Sequence, residues 1–110
     1  MRALAAAILL LLAVPAAGQS LVFRGEHANS GKSMSLRLYF EPCESAAVLK
    51  FLLRRVAASV AGEFQRAVLH WEGRPWESCW IEIAGIVYSI DEEGAALQPV
   101  RRSLFVDEST

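Results

Sequence analysis

The sequence predicts an α+β domain: one amphipathic helix packed on an antiparallel sheet, in the order ββα followed by a β-meander, with one disulfide. Three observations carry this. One segment alone, Cys43 to Ala61, places apolar residues at helical spacing. On both sides of it apolar and polar residues alternate with the period of two that a half-buried strand requires. The two cysteines, Cys43 and Cys79, stand at the start of that helix and inside a strand.

Ahead of the domain lies a leader. Arg2 gives a minimal positive start, Ala3 to Val14 form an apolar stretch, and Pro15 breaks it. Ala16-Ala17-Gly18 then supply the small residues of a cleavage site, which is the three-part pattern of a secretory signal. The apolar stretch is shorter than the ~20 residues that span hydrocarbon, so no stable membrane anchor is expected after cleavage. The organisation is therefore a signal peptide over 1–18 and a single small domain over 19–110, periplasmic or secreted. Export gives the cysteines a meaning. In a small exported domain two cysteines most often pair, with two buried thiols or an intermolecular bridge as the alternatives. Closing a loop of about 37 residues would restrict the unfolded chain by roughly 4 kcal/mol.

Leu21-Val22-Phe23 opens the domain as a short strand, and Asn29-Ser30-Gly31-Lys32 has turn chemistry. Met34, Leu36, Leu38 and Phe40 then share one face of a strand that Pro42 ends. In the helix, Val48, Leu49, Leu52, Leu53, Val56 and Val60 form the apolar stripe. Ser45 or Cys43 caps its start, and Gly62 stops it. Its other side carries Lys50, Arg54 and Arg55 with no acidic partner one turn away. That side is either a solvated face or a patch for an anionic surface, such as phospholipid headgroups or an acidic partner.

Strands follow over Gln65 to Trp71, Trp76 to Ile83 and Ile86 to Ile90, joined by turns at Glu72-Gly73-Arg74-Pro75 and Ala84-Gly85. Asp91-Glu92-Glu93-Gly94 is the next turn, with Gly94 suited to positive φ. Leu97 to Val100 and Ser103 to Val106 are expected as short final strands or extended pieces, and Asp107 to Thr110 as a frayed tail.

No catalytic template matches, and the chain reads as a non-enzyme with no cofactor and no metal. His27 and His70 have no metal-ligand spacing. There is no G-x-S-x-G. Glu92 and Glu93 are adjacent and point apart, and the Asp91 turn lacks the twelve-residue spacing of a calcium loop. Gly31-Lys32-Ser33 resembles the tail of a phosphate-binding loop, but Gly25 falls one residue off the required position. A net charge of −1 argues against nucleic acid. The densest feature is Trp71, Trp76 and Trp80 with Arg74 between them. These four form either a binding hot spot or, for two of the indoles, the cover of a small core.

Trp71-Glu72-Gly73-Arg74, Cys79-Trp80, Gly85-Ile86-Val87-Tyr88, Asp91-Glu92-Glu93-Gly94 and Phe105 together resemble a pattern of small exported proteins of unknown function in proteobacterial genomes and their prophages. The resemblance covers most of residues 21–106 and departs at Ala95, where another Asp is expected. It implies export and the disulfide, and it implies no activity. Function is then expected to be non-catalytic: a binding, inhibitor or accessory module whose partner is another envelope or secreted protein. The alternative is a structural protein that self-associates through an edge strand.

Overall fold

The computed structural model describes residues 19–27 and 31–108. Residues 1–18, where a signal peptide is expected, part of the Asn29 to Lys32 turn and the last two residues lie outside the described residues. Alternation builds the first hairpin. β1 (Ser20–Glu26) and β2 (Ser33–Pro42) pair antiparallel with Leu21 opposite Leu38 and Phe23 opposite Leu36, so their apolar side chains fall on one face. Two helical segments follow, α1 (Ala46–Leu52) and α2 (Ala58–Ala61). The meander is β3 (Gln65–Trp71), β4 (Arg74–Ile83), β5 (Ile86–Asp91), β6 (Val100–Arg101), a single 3₁₀ turn over Arg102–Leu104, and β7 (Val106–Asp107).

The seven strands form one sheet in the order β6-β5-β4-β3-β2-β1-β7. Flat, such a sheet would hold its outer strands about 29 Å apart, six spacings of ~4.8 Å. Yet β6 and β7 are separated by four residues alone, Arg102 to Phe105, and the steps from Arg101 to Val106 reach at most about 18 Å. The sheet must therefore curl until its two edges face each other. Curling creates an inside. Leu21, Leu36, Leu38, Ala67, Leu69, Trp80, Val87 and Phe105 make up the inner core. A second core lies on the outer face of β4 and β5, where Val48, Leu52, Ala61 and Phe64 pack on Cys79 and Ile90.

Several expectations are corrected. The helix is broken rather than continuous to Ala61. Leu53 ends α1, Ala57 is extended at φ −63° and ψ 152°, and α2 restarts behind it. The reason lies outside the segment. The Cys43 amide donates to the Phe64 carbonyl (3.1 Å), so the excursion must return to its origin. A straight sixteen-residue helix would end about 24 Å away. Ser45, one of the two expected caps, accepts from the Val48 amide. Of the expected final pieces, Val100 and Val106 join short strands and Leu97 stays outside them, while a 3₁₀ turn unexpectedly takes up Ser103 and Leu104. Asp107 is no frayed tail: it pairs with Leu21, and Glu108 is anchored beside it. The Glu72 to Pro75 turn is tighter than expected, closing on Glu72-Gly73 alone at φ 54° and 77°, while Ala84-Gly85 is the expected tight turn at φ 51° and 81°. Both are two-residue hairpin turns whose left-handed pair matches the strand twist.

Candidate functional site

The inner core is full at one end and open at the other. At the full end Trp80 is buried, its Nε1 donating to the Tyr39 carbonyl at 3.1 Å. That carbonyl sits where the β2–β3 register shifts between Leu38 and Pro42. Phe40 closes the corner edge-on to Trp80, with ring centroids 6.0 Å apart. At the open end, beneath the β1–β2 hairpin, the side chains do not fill the curl. A cavity of about 600 Å³ remains. Its apolar walls are Phe23, Met34 and Leu36 from β1 and β2, and Leu97, Val100 and Leu104 from the segment that crosses the opening. Glu26, His27, Gln98 and Arg101 supply its polar groups.

Two local devices shape these walls. Gly25 permits Phe23 to fold back, because a Cβ there would come within 2.7 Å of the Phe23 ring. Phe23 then packs on Phe105, with centroids 5.7 Å apart. The crossing segment is held by Asp91, whose Oδ1 accepts from the amides of Glu93 (2.9 Å) and Ala95 (3.0 Å). Leu97 donates its amide to the Ser89 carbonyl, which tethers the segment over the curl.

The predicted tryptophan cluster separates. Trp71 and Trp76 lie tilted against each other and pack on the inner core. His27, buried at the end of β1, lies parallel on Trp71 with ring centroids 4.0 Å apart. Trp71 meets Trp76 at 5.8 Å, and Trp76 Nε1 donates to the Trp71 carbonyl at 3.1 Å. Arg74 covers the end of the stack, its guanidinium 3.5 Å from the Trp76 ring centroid. The Arg74 guanidinium also pairs with Glu92, which accepts from the Glu77 amide as well. Trp80 belongs to the core and takes no part in the stack.

Cys43 and Cys79 are bonded, with their Cα atoms 5.7 Å apart. The bridge ties the entry of α1 to the centre of β4, inside the outer core. The basic residues are less free than the sequence suggests. Arg55 donates to the Gly94 carbonyl at 2.7 Å, and Lys50 and Arg54 lie 5.1 and 5.9 Å from the centroid of the Phe51 ring. Among the described residues, no group of three or more His, Cys, Asp or Glu could hold a metal ion, and no helix is long and apolar enough to cross a membrane.

Sequence reasoning missed the cavity and an ionic latch. Glu108 receives Arg37 at 2.8 Å and Arg24 at 3.0 Å, while the buried Ser20 hydroxyl accepts from Arg37 and donates to the Glu108 carbonyl. The hydrogen bonds from Arg24 and then Arg37 hold the Glu108 carboxyl below the usual carboxylate range. A signal for the cavity was present: Ala95 to Val100 is rich in apolar residues yet carries Pro99 and no strand alternation. Such a run covers a core with little strand pairing, joining the sheet at Val100 and bridging Ile90 from Ala96. No family model, no curated protein and no solved structure matches this chain.

Proposed function

We propose that this chain is an exported, non-catalytic binding protein whose site is the open end of the curled sheet. The cavity carries this reading. Its volume falls within the ~300–1,000 Å³ of small-molecule sites, and its lining combines apolar walls with a few polar groups. Export is supported by the leader pattern and by the Cys43–Cys79 disulfide, a bond that persists in oxidising compartments. The resemblance to small exported prophage-type proteins points the same way. The partner moves from the expected protein surface towards a small ligand, because Trp80 is buried and Trp71 and Trp76 are partly so. Self-association through an edge strand has little to work with, since β6 and β7 are two residues long each.

Two measurements test it. Cell fractionation with N-terminal sequencing should find the protein outside the cytoplasm, beginning at Gln19; a cytoplasmic, full-length protein would end the export reading. The neutral apolar dye N-phenyl-1-naphthylamine should bind the oxidised protein at one site with a rise in emission. No binding, with the fold intact by circular dichroism, would end the cavity reading.

A further inference from the structure

The charges around the cavity narrow the ligand class. The described arginines are nearly all engaged. Arg24 and Arg37 hold Glu108, Arg66 holds Glu41, Arg74 holds Glu92 and Arg102 faces Glu82. Arg55 holds the Gly94 carbonyl, and Arg54 lies by the Phe51 ring. Arg101 alone has no ion pair, side-chain hydrogen bond or ring contact among the described residues, and Arg101 lines the cavity. Glu26 lines it too, and no described cation stands within ion-pair distance of it. The two come from β6, one edge of the sheet, and β1, the strand next to the other edge. Facing one apolar chamber are thus one unpaired cation and one unpaired anion.

Unpaired opposite charges beside an apolar chamber match a ligand that has an apolar chain and carries both charges at its head. We propose that the cavity receives the single acyl chain of a zwitterionic amphiphile, with Arg101 taking its anionic group and Glu26 its ammonium group. This rests on the binding reading above and specifies its ligand. A guanidinium recognises a phosphate or carboxylate through charge-assisted hydrogen bonds. A carboxylate attracts an ammonium head by charge, and adds hydrogen bonds only where that head carries N–H, which the quaternary choline group does not. The apolar walls take the chain, whose affinity grows by about fourfold per buried methylene until the chamber is full.

The probe is dodecylphosphocholine below its micelle concentration, titrated against the oxidised protein and read by intrinsic tryptophan fluorescence, which Trp71 behind His27 should report. Dodecanoate, dodecyltrimethylammonium and dodecyl maltoside serve as comparators with the same chain and anionic, cationic and neutral heads. Dodecylphosphocholine should bind tightest, and its decyl homologue about fifteenfold more weakly. Arg101→Gln should weaken dodecylphosphocholine about tenfold, and Glu26→Gln about threefold, with dodecyl maltoside unchanged in both. Leu97→Trp, which fills the chamber, should abolish binding of every dodecyl probe with the thermal melt retained. Leu104→Trp, at a wall residue 55% exposed in the free chain, gives the same test should the first variant not fold. Equal affinity for all four heads, or an unaffected Arg101→Gln, would overturn the head-group assignment and leave the cavity as an apolar site. Binding of none of them would overturn both.

Discussion

The two cores of this protein are built on opposite faces of one sheet and are finished to different degrees. The outer core is small and closed. Val48 and Cys79 are fully buried, and the disulfide locks the helical layer to β4. The inner core is larger but complete only around Leu38, Leu69 and Trp80; toward the β1–β2 hairpin it gives way to the cavity. The disulfide is on the side with the least apolar material, where a cross-link replaces burial. The side with more apolar material can leave part of its volume empty and still fold. The cross-link and the proposed binding site thereby fall on different faces of the same strands.

The comparison can be broken most forcefully at the disulfide. Replacing Cys43 and Cys79 by serine should lower stability by about 4 kcal/mol on the loop-entropy model, read as a shift in the urea midpoint. Free-thiol labelling of the protein isolated without reductant should find none. Next is a contrast within the inner core. Leu38→Ala, at a fully buried residue, should cost about 3 kcal/mol, whereas Leu97→Ala, beside space that is already empty, should cost under about 1 kcal/mol. Equal losses would mean that the chamber is not a void in solution.

A smaller, opposite effect is expected at the β4–β5 turn. Ala84 sits at φ 51°, which an alanine adopts at a cost, and Ala84→Asn should gain up to about 1 kcal/mol in the thermal melt. Least affected at neutral pH is Glu108→Gln. Because the folded carboxyl titrates below its unfolded value, the latch contributes fully above the unfolded value and is lost as pH falls through the folded one. The variant should therefore flatten the acid side of the stability profile and speed amide exchange in β7.

Much of this architecture was legible in the residues. The alternation Met34-Leu36-Leu38 and Ala67-Leu69-Trp71 placed the inner face correctly, and Cys79 beside Ile81 named the face that the helix covers. The break in the helix was not legible, because Arg54 to Ala58 contains neither Gly nor Pro. It is imposed by the need to bring Phe64 back to Cys43. The cavity was hidden for a related reason. Periodicity reports which side chains point inward, but whether they meet depends on the curl, which is set by four residues at the far end of the chain. Of the four residues singled out by the tryptophan cluster, three form the stack beside the chamber, and Trp80 is core.

The pairing of β7 with β1 also has a consequence for how the molecule comes into being. Leu21 finds Asp107 as its neighbour, and the Glu108 amide donates to the Ser20 carbonyl. β1, the first described strand, thus has β7, the last, as its outer neighbour. Such distant pairings form slowly. Until β7 is made and docks, β1 stays an unshielded edge and the curl cannot shut. Under the proposed export, that delay would keep the chain from locking before it threads a membrane.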